Sequence, residues 1–365
     1  MINGKKIAID ARMIEMSGIG RYIQNIINNG IYDVALGDEA LIRKYNKSIK
    51  VIQYKEKIYG LCEQLKFPVE ELKVEQIQLV HFPHYNVPIL YKGDFVVTVH
   101  DLTHIIFPKF MKNKIASLYA KILLKNACEK SKHIFTVSEN SKKDIEKYFD
   151  IKQDKISITY DAVDDKYKKV DIASLKYLRE KYNISEKQKV ILYVGNLKKH
   201  KNLNRLLQAF SQLNDIEHIR MILVGKDFDN ENLDNIEKRL KIENYIIHTG
   251  VVNDKELVDL YNLADIFIFP SLYEGFGIPL LEAMACETIV LCSNTSSMPE
   301  VVGDAAVLFN PYEVSDIANS IQSVINEQID SNEYIKKGIK QYRKFSWEDS
   351  NKEIIATITR LCSIK

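Results

Sequence analysis

Two carboxylates flank a glycine-containing loop in residues 274–282, which read EGFGIPLLE. This segment follows the apolar run Ile266–Phe269, which is typical of a buried strand. Gly275 and Gly277 leave room for backbone N–H groups to approach a ligand. Carboxylates such as Glu274 and Glu282 accept hydrogen bonds from hydroxyl groups. The pattern therefore favours a ligand with several hydroxyl groups and an anion that the N–H groups would bind.

Pro279 stands where the first turn of a helix would begin, because that turn needs no amide donor from proline. We expect Glu282 to lie one or two turns into this helix, so that the two carboxylates serve different ends of a bound molecule. Taken singly, each carboxylate is equally consistent with a solvated surface residue.

A second candidate segment, GNLKKHKN at residues 195–202, follows the apolar run 190–194. It holds three lysines and a histidine just before a predicted helix. A diphosphate requires cations, and a helix N-terminus adds positive potential. We expect Lys201, the lysine nearest the helix, to hold such a group, whereas Lys198 and Lys199 are as consistent with solvated residues.

A glycine loop also follows the first apolar run, Lys6–Asp10. Gly18 and Gly20 precede a helical pattern, an arrangement in which backbone N–H groups approach a phosphate or a sugar. A dinucleotide-binding fingerprint would require a third glycine where Ile23 stands, and the gap after the strand is too long. The loop therefore gives little support to NAD binding, and a plain tight turn stays open.

The histidines His81, His84, His100 and His104 lie close together in the sequence. A zinc site could use them, but no HExxH pattern and no neighbouring cysteine completes a ligand set. His100 directly follows the apolar run Phe95–Val99, so we expect it at the ligand edge of a sheet. There it would donate a hydrogen bond to a hydroxyl group or to developing charge. His81 and His104 are expected to be structural.

Apolar runs alternate with helical patterns along the chain, a rhythm typical of parallel sheets covered by helices. The runs in the first half are Lys6–Asp10, Phe95–Val99 and 133–137, with a helical pattern over 112–130. The runs in the second half are 190–194, 221–224, 245–249, Ile266–Phe269 and 288–291, with a helix over 202–214. We predict an α/β protein of two doubly wound domains, residues 1–168 and 169–345, with a ligand site between them.

The composition limits the function classes. The 365 residues exceed one ordinary core, and a net charge of +2 is too small to indicate a nucleic-acid partner. The five cysteines include no CxxC pair, which favours reduced thiols in the cytoplasm. No apolar run approaches the roughly 18 residues of a membrane span, so we expect a cytoplasmic protein.

These segments together resemble family 4 glycosyltransferases of the GT-B fold over nearly the full length of the chain. The hallmark of that family is the spacing Glu274-x7-Glu282. The other matching segments are Gly18-Ile-Gly20-Arg21-Tyr22, His100-Asp101, TVSENSK at 136–142, Lys201-Asn202 and SMPEVVG at 297–303. The branch that the chain resembles most is the mannosyltransferases of bacterial O-antigen and capsule assembly.

The resemblance implies two Rossmann-like domains that face a cleft, with helix 346–365 completing the N-terminal, acceptor-side domain. It implies retaining transfer of a hexose from a nucleotide-sugar to a glycan or lipid-linked acceptor, without a metal or another cofactor. GDP-mannose is the expected donor, and mannose is the expected transferred sugar. UDP- or dTDP-sugars (GlcNAc, glucose or rhamnose) and a sugar-nucleotide epimerase of the same fold stay open, as does the oligomeric state.

By the same resemblance, His100, Glu274 and Lys201 are the catalytic residues. Glu274 would hold sugar hydroxyls, Glu282 the ribose and Lys201 the diphosphate. The other donor-binding positions are Gly18, Gly20, Asn196, His200, Val252, Gly275, Phe276, Gly277 and Ile278. Many relatives have arginine where this chain has Asn196, and an amide cannot replace a guanidinium charge. Either His200 supplies that positive contact, or the diphosphate has weaker support.

Two further segments carry alternatives. Residues 109–133 hold seven lysines and one glutamate among apolar residues, which fits either an amphipathic helix on an anionic bilayer or an ordinary surface helix. Asp227-Phe228-Asp229 matches the DxD pattern of metal-dependent transferases, but we interpret it as a polar surface loop. The only tryptophan, Trp347, is expected to pack the C-terminal helix onto the first domain.

Overall fold

The computed structural model describes residues 2, 4–110, 114–226, 228 and 231–363. The chain divides into two compact units. The first consists of Met1–Asp161 together with Ser346–Lys365, and the second of Ala162–Phe345. Each unit has a parallel sheet and a hydrophobic core of its own.

The first unit is built on a seven-stranded sheet in which every pairing is parallel. Its strands are β1 (Lys6–Asp10), β2 (Val34–Gly37), β3 (Lys50–Gln53), β4 (Ile77–Phe82), β5 (Phe95–Val99), β6 (His133–Thr136) and β7 (Ile156–Ile158). Their order is β3-β2-β1-β4-β5-β6-β7, so the direction of winding reverses between β1 and β4. In such sheets the crevice for a ligand opens at the carboxyl ends of the two strands at the reversal.

Helices cover both faces of this sheet, which is why its central strands are almost continuously apolar. The helices are α1 (Ser17–Ile26), α2 (Glu39–Ile42), α3 (Leu61–Leu65), α4 (Val69–Val74), α5 (Thr103–Ile106), α6 (Lys114–Lys130) and α7 (Glu139–Phe149). All five residues of β5 are buried. Tyr22 and Ile26 of α1 belong to the core on one face, and Leu123 and Leu124 of α6 belong to the core on the other.

The second unit repeats the plan with a six-stranded parallel sheet. Its strands are β8 (Lys189–Val194), β9 (Ile219–Val224), β10 (Ile246–Gly250), β11 (Ile266–Phe269), β12 (Ile289–Ser293) and β13 (Val307–Phe309). The order β10-β9-β8-β11-β12-β13 places the reversal between β8 and β11.

The helices of the second unit connect these strands. They are α8 (Lys176–Lys181), α9 (Leu203–Phe210), α10 (Glu231–Leu240), α11 (Asp254–Leu263), α12 (Ile278–Ala285), α13 (Met298–Val302), α14 (Val314–Ile325) and α15 (Ser331–Tyr342). The chain then returns to the first unit as α16 (Trp347–Ser363), whose Ile354, Ile358 and Cys362 join the core beneath α1. None of the helices within the described residues combines the length and apolar character needed to cross a bilayer.

The sequence reading located β1, β5, β6 and β8–β12 but missed β2, β3, β4, β7 and β13. Polar residues interrupt β3, β4 and β7, whereas β2 and β13 are apolar but only four and three residues long. β4, for example, contains His81, which is tolerated inside because Tyr32 Oη lies 2.6 Å from its Nδ1 and Thr98 Oγ1 lies 2.9 Å from its Nε2. The predicted helix 202–214 spans Leu203–Phe210, and residues 112 and 113 of the predicted helix 112–130 lie outside the described residues.

Candidate active site

The site in the second unit is built at the strand-order reversal. Strand β8 leads into residues 195–202, and the neighbouring strand β11 leads into residues 270–277. The two loops therefore leave adjacent strands at the same edge of the sheet. This is the position at which doubly wound sheets bind their ligands.

Asn202 ties these two loops together. Its Nδ2 donates hydrogen bonds to Pro270 O (3.1 Å) and Pro311 O (2.8 Å). The backbone of Asn202 is left-handed, with φ 59°, a conformation that asparagine tolerates better than most residues. The N–H of Leu272 also donates to His200 O at 2.8 Å. Loop 195–202 is thus fixed against loop 270–277 by backbone and side-chain bonds.

This docking brings Lys201 and Glu274 together. Lys201 Nζ lies 2.6 Å from Glu274 Oε1, and the side chains are only 19% and 14% exposed. Lys201 Nζ also lies 5.2 Å from the centre of the Phe269 ring, within cation–π distance. Two predicted catalytic residues that stand 73 positions apart in the chain therefore form one ion pair.

Three consecutive hydroxyl side chains hold the backbone of the Glu274 loop. Thr295 Oγ1 donates to Leu272 O (3.1 Å), and Ser296 Oγ donates to Glu274 O (2.7 Å) while accepting from the Glu274 N–H (3.2 Å). Ser297 Oγ lies 2.8 Å from Phe276 O. We did not identify these residues as functional from the sequence, although a run of three hydroxyls beside a family motif was a usable signal. They position Glu274 and the amides of 275–277.

Helix α12 starts as expected. Gly277 precedes it with φ 113°, a conformation that favours glycine, and proline occupies the first turn. Glu282 lies in the second turn and is 3% exposed, where it accepts a 2.7 Å hydrogen bond from Tyr261 Oη. Burial, followed by the nearby Glu282, raises the pKa of Tyr261 well above its ordinary value. Tyr261 thus remains a neutral donor that orients the carboxylate.

The remaining predicted positions of the second unit follow the carboxyl ends of its strands. Asn196 Oδ1 accepts from the Lys226 N–H at 3.3 Å, so its amide joins the ends of β8 and β9. His200 lies in the short turn that ends at Lys201, and Val252 follows β10. A side chain at Gly225 would place its Cβ 1.9 Å from Gly195 O, which shows how closely the backbones approach here.

In the first unit, His100 follows β5 as expected. Its Nε2 donates to Pro83 O at 2.9 Å, because a carbonyl oxygen can only accept. The ring packs edge-on against Tyr22, with centres 5.1 Å apart. Burial lowers the pKa of His100, so the ring is neutral near pH 7 and its single proton is directed at Pro83. His100 therefore offers Nδ1 as an acceptor, rather than the donor that we expected.

The two glycines of the first loop have different surroundings. A Cβ on Gly20 would stand 2.7 Å from Ile14 O, so this position excludes every side chain. A Cβ on Gly18 would meet nothing within 4 Å, and Gly18 is exposed at the N-terminus of α1. No side chain caps that helix end. Gly20 thus serves packing, whereas Gly18 leaves the N-terminal amides open to a ligand.

Among the residues that the structure describes, no group of three histidine, cysteine or acidic side chains converges as metal ligands would. Burial lowers the pKa of His81 to about 3, which fits its structural role. Asp227 and Asp229 of the DxD pattern lie outside the described residues. Metal independence stays a prediction.

Comparison with known proteins adds independent information. The profile described as "Glycosyl transferases group 1" matches residues 176–341, and "Glycosyltransferase Family 4" matches residues 47–167. The chain is 32% identical over 281 residues to O-antigen chain mannosyltransferase B of Escherichia coli, covering 76% of this chain and 73% of that protein. It is 29% identical to the serotype-specific mannosyltransferase WbdA of the same species over 77% of this chain, but spans only 35% of WbdA.

Solved structures share the fold. Anabaena HepE, in complex with UDP and glucose, matches with a TM-score of 0.79 at 18% identity, covering 98% of this chain and all of HepE. WaaG, a glycosyltransferase involved in lipopolysaccharide biosynthesis, matches with a TM-score of 0.75 at 15% identity, covering 98% and 100%. The two Rossmann-like sheets thus have the GT-B fold. The chain belongs to the group 1, or family 4, glycosyltransferases.

Proposed function

We propose that this glycosyltransferase moves mannose from GDP-mannose to a glycan or lipid-linked acceptor during synthesis of a bacterial surface polysaccharide. The observation that carries the proposal is the Lys201–Glu274 pair at the strand-order reversal of the second unit. A cation beside a carboxylate matches a ligand in which a diphosphate adjoins a polyhydroxylated sugar. The mannosyltransferase names of the E. coli relatives support mannose as the sugar.

Donor binding would separate the pair. The diphosphate would bind Lys201, and the sugar hydroxyls would donate hydrogen bonds to Glu274. Each charged side chain would thus exchange one partner for another. Glu282, oriented by Tyr261, would accept from the ribose hydroxyls. The amides of 275–277, held by Ser296 and Ser297, would point at the sugar and phosphate. Gly18 would approach the donor through the open N-terminus of α1.

The reaction replaces one bond to the anomeric carbon with another. The bond to the phosphate oxygen breaks, its electron pair stays on the nucleoside diphosphate, and the acceptor oxygen bonds to the anomeric carbon. The acceptor's hydroxyl proton passes to the departing phosphate, and configuration is retained. Lys201 and the loop amides stabilise the negative charge that develops on the leaving group, which is the largest single contribution in many enzymes. His100 Nδ1 accepts a hydrogen bond from a sugar hydroxyl. No metal takes part.

HepE was solved with UDP and glucose, which keeps a UDP-sugar as the second candidate. A dTDP-sugar, or epimerisation of a nucleotide-sugar without any acceptor, would use the same contacts.

A donor screen tests the proposal directly. Selective binding raises the melting temperature, so GDP-, UDP- and dTDP-sugars are compared by thermal shift. The selected donor is then incubated with a labelled mannoside, with and without EDTA, and the anomeric configuration of the product is read by NMR. We expect GDP-mannose to be selected, and an α-mannoside to form at an undiminished rate in EDTA. Conversion of the donor without an acceptor would indicate the epimerase instead.

We also propose that α6 lets the enzyme lie on the inner face of an anionic membrane, where a lipid-linked acceptor is found. Leu118 and Ile122 stand one turn apart and are 60% and 49% exposed, and Lys121 and Lys125 lie on the same exposed side. Residues 111–113 of this segment lie outside the described residues. Co-sedimentation with anionic vesicles should fall for Leu118→Glu/Ile122→Glu, and equal sedimentation of parent and variant would contradict the proposal.

A further inference from the structure

A cluster of aromatic rings that includes none of the donor residues proposed above lies at the strand-order reversal of the first unit. Its members are Tyr59, His84, Tyr85 and His104, with ring centres 4.1–6.3 Å apart between neighbours. His84 follows β4 directly, and β4 is one of the two strands at the reversal. The cluster thus occupies the edge at which a doubly wound sheet binds ligands.

The Tyr59 side chain is exposed, and its backbone has a strained conformation. It is 45% exposed, although a large aromatic side chain would ordinarily be buried. Its φ is 65°, a left-handed conformation that is a genuine outlier for a bulky residue. Strained residues of this kind persist only where their surroundings hold them, and they concentrate at ligand clamps.

The group that holds Tyr59 is a buried ion cluster. Glu63, fully buried, accepts the Tyr59 N–H at 2.7 Å through Oε2. Its Oε1 lies 3.0 Å from Arg12 Nη2, and Arg12 in turn binds Asp10 at 2.6 Å. The Arg12 and Glu63 side chains are 3% and 0% exposed. A buried charge network of this kind, fully paired, fixes the geometry of the groups attached to it.

A hydrogen-bond chain continues from Glu63 to the hydroxyl of Tyr59. Asn86 Nδ2 donates to Glu63 Oε1 at 2.9 Å, so Asn86 Oδ1 faces His84 and accepts from Nδ1–H. Tyr59 Oη lies 3.4 Å from His84 Nε2 and also 3.4 Å from Tyr85 Oη, so both neighbouring rings contact its hydroxyl. Burial, with a contribution from His100, lowers the pKa of His84 to about 3, so this tautomer is neutral at working pH. The N–H and the hydroxyl group of Tyr59 both have partners within the protein. The part of Tyr59 that is left for a ligand to contact is therefore its aromatic ring.

We propose that Tyr59 and His84, fixed by Glu63 and Arg12, form the binding site for the terminal sugar of the acceptor glycan. This inference rests on the proposed function, because it places the second substrate of that reaction. A sugar ring has an apolar C–H face that suits the exposed ring of Tyr59, and His84, Asn86 and Asp10 lie beneath that ring as its polar support. These three residues and Arg12 line one small cavity.

The location fits an acceptor because the cluster adjoins His100. Pro83, immediately before His84, accepts the hydrogen bond from His100 Nε2 at 2.9 Å. His100 is the first-unit residue expected at the reaction centre. A sugar seated on Tyr59 and His84 would therefore lie beside the residue that lines that centre. The surface is a single exposed aromatic ring, which suits the face of one sugar better than a long acyl chain.

Substitution by glycine gives an unusually clean test. Glycine adopts left-handed backbone conformations without steric cost, so Tyr59→Gly relieves backbone strain while it removes the aromatic ring. We expect a melting temperature no lower than that of the parent and an acceptor KM raised at least about tenfold, the loss expected from one buried aromatic contact. Tyr59→Phe keeps the ring and should change the acceptor KM less than about threefold. Tyr148→Ala, which removes a 42% exposed tyrosine from α7, is the matched control.

The probes are fluorescently labelled mannobiose and its glucose and N-acetylglucosamine counterparts. Fluorescence polarisation measures their binding, and the acceptor KM is measured with saturating donor. Donor KM and slow donor hydrolysis without acceptor should be unchanged in Tyr59→Gly. An unchanged acceptor KM, an equal loss in Tyr148→Ala, or no binding of any probe at millimolar concentration would overturn the inference. If the parent binds a probe and Tyr59→Gly does not, the site stands even where no nucleotide-sugar is turned over, an outcome that would reject only the proposed function.

Discussion

Lys201 Nζ lies 2.6 Å from Glu274 Oε1, at the edge where β8 and β11 end side by side. Each residue compensates the charge of the other. The pair therefore keeps two groups with opposite tasks in place, a cation for a phosphate and a carboxylate for sugar hydroxyls. This arrangement makes the two residues one functional unit.

Removing either member of this pair should disable transfer. We expect Lys201→Met and Glu274→Gln each to lower kcat/KM by about 10²–10³, the usual loss when one preorganised electrostatic contact is removed. The double variant should lose little more than either single variant, because residues that act as a unit are not additive. Steady-state kinetics with the selected donor measure this. Lys199→Met, an exposed lysine of the same loop, is the control and should keep parental activity.

The bond from Tyr261 to Glu282 should matter for the nucleoside. Tyr261→Phe leaves a buried carboxylate oxygen without its donor, which costs about 1–3 kcal/mol of unfolding free energy. We expect the donor KM to rise with little change in kcat, because the ribose contact is uniform through the reaction. Urea unfolding followed by circular dichroism gives the stability. Tyr312→Phe, at an exposed tyrosine, should change neither quantity; a parental donor KM in Tyr261→Phe would argue against Glu282 as the ribose acceptor.

Asn202 offers a test of how the loops are assembled. Asn202→Gly and Asn202→Ala both lose the bonds to Pro270 and Pro311. Only alanine also strains the left-handed backbone, so it should be less stable than the glycine variant by about 1–2 kcal/mol. Both should lower kcat/KM, because Lys201 is no longer held beside Glu274. Hydrogen exchange of the β8 and β11 amides locates the loosening. Equal stability of the two variants would contradict the role assigned to φ.

Asp161 predicts a pH dependence of stability in the first unit. It is 6% exposed, its Oδ1 has no hydrogen-bond partner among the described residues, and burial raises its pKa to about 7 despite the nearby Arg21. A carboxyl group with a raised folded-state pKa stabilises the fold at low pH. That contribution is lost as pH rises from about 4, where the unfolded chain ionises, to about 7. Above pH 7 the free energy of unfolding is lower by up to about 4 kcal/mol than it would be without this pKa shift.

The isosteric, neutral Asp161→Asn should therefore be more stable than the parent at pH 8 and similar to it at pH 4. Urea unfolding followed by Trp347 fluorescence measures this in the correct unit, because the only tryptophan lies at the start of α16. A stability difference that is the same at both pH values would show that Asp161 does not titrate in this range.

The sequence was sufficient for the parts of the site that depend on local pattern. Glycines and proline around Glu274 predicted a strand, a loop and a helix start, and β11 and α12 have that form. Apolar runs identified the strands that are buried on both faces. The reading failed for β4, where a buried histidine interrupts the pattern, because the partners that permit burial of His81 are Tyr32 and Thr98, far away in the chain.

By itself, the sequence determined the class of fold, the membership of a glycosyltransferase family and the candidate residues for the donor, because these follow from short-range spacing and local conformation. The tertiary structure determined which side chains contact one another. It paired Lys201 with Glu274, directed the proton of His100 to Pro83, and connected Tyr59 to Arg12 through Glu63. The pairs Lys201–Glu274, His100–Pro83 and Arg12–Glu63 each join segments that follow different strands, and only the packing of strands in one sheet determines which segments meet.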